Sequence, residues 1–203
     1  MRKLTVAAFV SLDGVIQGPG GPQEDTSGGF AHGGWTVPFA DAVFGQTMEA
    51  LFAQPFELVL GRRTYDIFAA HWPRATEEDG AKPLNEATKY VASRQRPALE
   101  WQNSVLLDDD VPTAVAALKD TDGPELQVHG SADLLQTLIR HDLIDEYRLW
   151  IFPVLVGTGK RLFADGVVPA SLELVTSSVS STGVVIGTYR PAGAVTIGSF
   201  ALE

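Results

Sequence analysis

Apolar residues recur along the chain with two periods. Short runs rich in β-branched and aromatic residues occupy Leu4–Val10, Phe56–Leu60, Lys89–Ser93, Ser104–Leu107, Glu125–His129, Glu146–Pro153, Ser171–Ser180 and Gly183–Arg190. They predict eight strands. Ser181-Thr182, with Gly183 beside them, joins the last two as a hairpin. Residues 194–202 carry a similar pattern and form a candidate ninth strand. Helical spacing falls between the early strands. Phe39, Val43, Met48, Leu51 and Phe52 make one stripe and predict a helix over Phe39–Ala53. Thr64–Ala70 is a short helix directly after a strand. Val111–Lys119 opens with Asp110 as N-cap and Pro112 in its first turn. Ser131–His141 presents Leu134, Leu135, Leu138 and Ile139 on one face. Strand and helix alternate until a terminal hairpin, which argues an α/β fold with a mainly parallel eight-stranded sheet and an antiparallel C-terminal edge. The 203 residues suit a single domain over 1–203.

Two stretches break these periods. Residues 17–34 hold seven glycines and two prolines and are irregular. Residues 71–87 read as a second long loop. The first follows the N-terminal strand, where a loop can cover a site.

Composition narrows the possibilities. No apolar run approaches the ~18 residues of a membrane span, and no secretory signal is expected at the start, whose apolar part is short and soon meets Asp13. Without cysteine there are no disulfides, zinc-thiolate sites or thiol nucleophiles, so the expected compartment is the cytoplasm. The formal net charge of −10 opposes binding to nucleic acid. Any bound anion must then be held by a local basic cluster.

Three segments offer one. Leu58-Val-Leu-Gly61-Arg62-Arg63-Thr64 runs from strand through glycine and two arginines into a helix. Free N–H groups at a helix start, with arginine alongside, receive anions. A plain turn with solvated arginines is the alternative. Lys89–Arg94 is a strand ending in Ser93-Arg94, and a hydroxyl beside a guanidinium suits a monophosphate. Val128-His129-Gly130-Ser131 repeats the strand, glycine, helix order. Three such strand ends in an α/β sheet point to a dinucleotide. The usual G-x-G-x-x-G fingerprint is absent, and Gly157-Thr-Gly159-Lys160-Arg161 reads as a turn. The four histidines show no metal-binding spacing, and no metal site is expected.

These segments, with Ser11-Leu-Asp13-Gly14 and Pro153-Val-Leu-Val-Gly157-Thr-Gly159, resemble the dihydrofolate-reductase-like superfamily. The likeness is greatest to the bacterial branch containing the reductase domain of riboflavin biosynthesis, and it covers about residues 3 to 190. The resemblance implies a three-layer fold that binds NADPH and reduces a small heterocyclic substrate, as a homodimer. Carried over, Gly61, Arg62, Arg63 and Thr64 contact the cofactor phosphates, and Ser93 and Arg94 hold the adenosine 2′-phosphate. Gly130, Ser131 and the helix start through Leu134 hold the pyrophosphate. Asp13 lies beside nicotinamide and substrate under the glycine-rich loop, as a candidate catalytic residue. Asp41 is the second candidate: it follows Trp35-Thr-Val-Pro38 one residue later than the pterin-binding carboxylate of dihydrofolate reductases. The implied activity is that of 5-amino-6-(5-phosphoribosylamino)uracil reductase. Dihydrofolate reduction and nucleotide binding without catalysis are the alternatives.

Overall fold

A computed structural model describes residues 1–76, 80–107 and 110–201. Its strands are β1 (Leu4–Ser11), β2 (Phe56–Gly61), β3 (Lys89–Ala92), β4 (Ser104–Leu106), β5 (Glu125–Val128), β6 (Glu146–Phe152), β7 (Leu172–Val179) and β8 (Val185–Pro191). Its α-helices are α1 (Ala42–Phe52), α2 (Arg62–His71), α3 (Ala81–Glu86), α4 (Val111–Lys119) and α5 (Ala132–Arg140). One sheet runs in the order β4-β3-β2-β5-β1-β6-β8-β7. The strands from β4 through β6 in that order pair in parallel, and β8 and β7 are antiparallel. The expected α/β class and antiparallel edge are both present.

Side-chain alternation builds three layers. Leu4, Val6, Ala8 and Val10 of β1 pack with Leu134, Leu135 and Leu138 of α5 and Val115 of α4. Ala7 faces the opposite way, into a cluster with Leu51 of α1 and Phe152. Leu58 and Leu60 of β2 join Tyr65 of α2 and Leu84 of α3 on that same side. Burying the largest of these side chains stabilises the fold by roughly 1.5–3 kcal/mol each.

The structure departs from the sequence reading at three places. The first helix begins at Ala42, and Val37–Phe39 form a separate 3-10 turn. Asp41 is its N-cap, accepting the Phe44 N–H at 2.8 Å, so the apolar stripe began too early by including Phe39. The stretch 71–87 is not all loop. Trp72–Arg74 form a 3-10 turn, and α3 buries Ala81 and Leu84 although Pro83 lies within it. Of the expected ninth strand over 194–202, residues 194–201 form no strand, and residue 202 lies outside the described residues. Among the described residues no helix is long and apolar enough to cross a membrane.

Candidate active site

The carboxyl edge of the sheet is forked. β5 pairs with β1 only as far as Val6 opposite Val128. β1 then continues with β6 alone, up to Ser11 opposite Phe152. On its other side β5 stays with β2, and the Gly61 N–H reaches the Gly130 carbonyl at 3.3 Å. The chain leaves β1 towards β2, whereas it leaves β5 towards β6. Such a reversal of direction opens a crevice outside the carboxyl ends of the strands.

The three phosphate-type segments meet at this edge, because β3, β2 and β5 are successive neighbours. Gly61 is paired in register with Ala92, which places Ser93-Arg94 beside Gly61-Arg62. A Cβ on Gly61 would lie 1.8 Å from Ser131 Oγ, and one on Gly130 would lie 2.8 Å from Thr64 Oγ1. These glycines therefore let two strand ends close on each other. Gly130 also has φ +129, a conformation that side chains rarely adopt, and the Gly130–Ser131 peptide is cis.

Two helices start at the junction. Neither Gly61, N-cap of α2, nor Ser131, N-cap of α5, supplies a side-chain cap. The first backbone N–H groups of each helix have no intrahelical acceptor. Arg62 holds Asp66 at 2.7 Å one turn on, and its side chain is 37% exposed. Arg94 is exposed, and the Ser93 hydroxyl accepts the Gln95 N–H at 3.2 Å. The Leu134 side chain is buried in the core, so only its backbone remains for a ligand. Asp133 places a negative charge in the first turn of α5, where it works against an anion.

Arg63 points to a residue that the sequence reading missed. Its guanidinium pairs with Asp25 at 3.1 Å, and Lys160 Nζ pairs with the same carboxylate at 2.7 Å. Burial raises the Asp25 pKa, but hydrogen bonds from Lys160 and Ser27 outweigh it and leave the carboxyl below its ordinary value. Gln17, also buried, donates to the Asp25 and Ser27 carbonyls and accepts the Lys160 N–H. The glycine-rich stretch is thus fastened to α2 and to the turn after β6. Phe30 and Trp35 anchor it in the core beside Phe152. A cavity of about 260 Å³ lies there, lined by Gln17, Ser27, Phe30, Thr158 and Lys160 among others. Nothing in the local sequence pairs Asp25 with residues this distant.

Both candidate carboxylates are engaged. Asp13 accepts the Ser11 hydroxyl at 2.6 Å, the Val156 N–H at 3.0 Å and the Gly157 N–H at 2.7 Å. The Ser11 hydroxyl, then the Val156 N–H, hold its pKa down to about 2. Asp41 accepts the Phe44 N–H, the Ser181 hydroxyl at 2.7 Å and the Thr182 N–H at 3.3 Å. The first two hold its pKa down to about 2 as well. Asp41 thereby joins the start of α1 to the β7–β8 turn.

His129 directly follows β5 and stacks on Phe52 at 5.9 Å between centroids. Burial, then the Arg148 charge, lowers its pKa to about 4, so it is neutral at physiological pH. Its Nε2 lies 3.0 Å from Gln127 Oε1. The Gln127 amide nitrogen donates to Leu51 O and Glu125 Oε1, which leaves Oε1 as acceptor and places the histidine proton on Nε2.

The layers and the strand order are those of a dihydrofolate-reductase-like fold. Residues 2–186 match the RibD C-terminal domain, and the chain belongs to that family. It is 29% identical over 193 residues to the uncharacterized protein YyaP of Bacillus subtilis (strain 168), covering 93% of this chain and 95% of YyaP. It is 26% identical over 164 residues to YwjB of the same organism, covering 80% and 83%. Among solved structures, a putative riboflavin biosynthesis protein from Shewanella sp. PV-4 superposes with TM-score 0.66 at 22% identity, over 93% of this chain and 98% of that one. Dihydrofolate reductase from Enterococcus faecalis, complexed with NADP(H) and RAB-propyl, gives 0.59 at 16% identity, over 94% and 96%. These two likenesses show the fold.

Proposed function

We propose that the chain is a cytoplasmic NADPH-dependent reductase of a small heterocyclic substrate. One observation carries the reading: the uncapped starts of α2 and α5 lie side by side at the forked edge, with Ser93-Arg94 beside the α2 start. Adjacent free N–H groups suit a pyrophosphate. Membership of the RibD C-terminal domain family supports it, and the Enterococcus faecalis relative in fold was solved with NADP(H).

In this reading Gly61, Arg62, Arg63 and Thr64 hold cofactor phosphate from one side. Gly130, Ser131 and the Leu134 backbone hold it from the other. Ser93 and Arg94 take the adenosine 2′-phosphate. When bound, NADPH supplies the hydride to a carbonyl, imine or heteroaromatic C=N. The chain's own residues position and exclude water. The anchored glycine-rich stretch walls the end of β1. Asp13 fixes the Val156–Gly157 turn against that end, and a carboxylate with a pKa near 2 is a poor proton donor at neutral pH. In this reading the proton that completes the reduction comes from water rather than from Asp13.

The substrate offered is 5-amino-6-(5-phosphoribosylamino)uracil or a close pyrimidine. Dihydrofolate fits less well, because Asp41 caps α1 and is occupied by the β7–β8 turn. The test is fluorescence titration of the purified chain with NADPH and NADH, followed by NADPH oxidation with pyrimidine, pterin and simple carbonyl acceptors. Saturable NADPH binding with turnover of a pyrimidine supports the reading. Absence of NADPH binding overturns it, and binding without any turnover leaves a nucleotide-binding protein.

A further inference from the structure

The carboxyl end of β5 carries a hydrogen-bond acceptor that the chain itself does not use. β5 last pairs with β1 at Val128, so His129 is the first residue beyond that pairing and stands at the root of the fork. Leu126 and Val128 face α4 and α5. Gln127 and His129 therefore take the opposite face, towards α1 and α2. There His129 lies between two rings. It stacks on Phe52, at the end of α1, and meets Phe68 of α2 edge to face at 6.2 Å. All three rings are half-buried, so the crevice that they line is open.

A chain of bonds fixes which nitrogen is free. Arg148 holds the Glu125 carboxylate with two bonds, at 2.9 and 2.8 Å. Glu125 Oε1 and the Leu51 carbonyl take both N–H groups of the Gln127 amide. Turning that amide over would set its oxygen against two acceptors, so Oε1 stays towards His129 and requires a donor there. The histidine proton is thereby held on Nε2. The two nitrogens of an imidazole point away from each other. Nε2 looks back along β5 to Gln127, so Nδ1 looks forward, towards the carboxyl side of the sheet. Among the described residues nothing donates to Nδ1. The fully buried side-chain polar atoms that lack a partner there are the hydroxyls of Thr5 and Ser104 alone, so Nδ1 is reached from outside.

We propose that His129 Nδ1 determines specificity at the ligand site: it accepts an N–H from the edge of a flat, aminated heterocycle that enters beside Phe52 and Phe68, and Gln127 is the positioning residue that keeps the proton off it. The inference rests on reading the forked edge as the ligand site. Ligand pockets are mostly apolar, with a few polar groups that orient the occupant. Here one fixed acceptor stands among rings. A heterocycle presenting a carbonyl or a bare ring nitrogen to Nδ1 would oppose two lone pairs and leave both unbonded.

Nuclear magnetic resonance of the full chain tests this. His32, His71 and His141 are exposed. Changing all three, as His32→Gln, His71→Gln and His141→Gln, leaves His129 as the one histidine and keeps the core intact. Long-range proton–nitrogen correlation spectra of that chain, isotope-labelled, read its tautomer directly. The Nε2–H pattern is expected at neutral pH. 6-Aminouracil, whose edge bears N–H groups, should shift the Nδ1 signal as a bonded acceptor shifts. 1,3,6-Trimethyluracil, which has no N–H, should not. Adding Gln127→Leu should mix the two tautomers. His129→Phe, checked for folding by circular dichroism, keeps a ring on Phe52 and should weaken 6-aminouracil about fivefold to tenfold, as loss of one hydrogen bond does. An Nδ1–H pattern overturns the inference, as does an equal shift by 1,3,6-trimethyluracil. An Nδ1 signal unmoved by 6-aminouracil, in a chain that binds NADPH, overturns the inference and leaves the proposed function standing. A moved Nδ1 signal in a chain that does not bind NADPH does the reverse. An unchanged tautomer in the Gln127→Leu chain overturns the part given to Gln127.

Discussion

Gly61 and Ser131 occupy each other's space: where Gly61 lacks a side chain, the Ser131 hydroxyl sits 1.8 Å from its ideal Cβ position. Gly61 has φ −69, so the demand is steric and not conformational. Gly61→Ala should cost about 1–3 kcal/mol, as other overpacked sites do. Ser131→Gly in the same chain should recover most of it. Urea denaturation of the two single variants and the double variant checks the coupling. Strictly additive losses would show that α5 starts elsewhere.

Arg94 should discriminate between cofactors. It is exposed beside Ser93, at the strand end next to the start of α2. A hydrogen bond to a charged group contributes roughly 1.5–3 kcal/mol. Arg94→Ala should thus weaken NADPH about tenfold or more while NADH is barely affected. Equal affinity of the wild type for both cofactors would count against a 2′-phosphate subsite here.

Asp13 should make the fold sensitive to acid. Its pKa falls from 3.8 to about 2 through the Ser11 hydroxyl and then the Val156 N–H. A lowered carboxylate pKa contributes stability above the unfolded value, and that contribution disappears as pH falls from near 3.8 towards 2. Asp13→Asn keeps one carbonyl oxygen for three donors, so it should lower the Tm at neutral pH and flatten the Tm profile across that window. NADPH affinity should be unchanged. A variant as stable as wild type, with the same acid profile, would remove the clamp.

Lys89 should give a slope of the same sign, but at high pH. It is fully buried, donates to Asn85 O at 2.7 Å and Gln102 O at 3.1 Å, and lies 4.1 Å from the Trp101 ring centroid. Burial lowers its pKa from 10.5 to about 8. The unfolded chain then binds more protons between these values, so stability rises with pH across about 8 to 10.5. Lys89→Met should abolish that rise in urea denaturation, even if it also lowers overall stability.

Much of the sheet was legible because its strands alternate with helices and end in recognisable segments. Gly61-Arg62-Arg63-Thr64 and Gly130-Ser131 each announced a strand end, and the structure brings them into contact. Asp41 was legible as a carboxylate near a helix, but not as its cap. Cap and first-turn positions differ by one residue, and only the backbone decides between them. The Asp25 bridge to Arg63 and Lys160 could not be read at all. Ion pairs between remote segments leave no periodic trace. The tail 194–201 looked like a strand because its composition is strand-like, yet composition does not provide a partner.

The fastening of residues 17–34 by Gln17, Asp25 and Trp35 bears on how this protein chooses its ligand. Ordering a residue costs roughly 1–2 kcal/mol in backbone entropy, and here that cost falls on folding, before any ligand arrives. A molecule entering beside β1 meets a rim of fixed outline. Under the proposed function, recognition works by shape matching at encounter, and a poorly fitting molecule is turned away at once. Natural variation in this stretch would change which molecules are admitted more than how fast the admitted ones react.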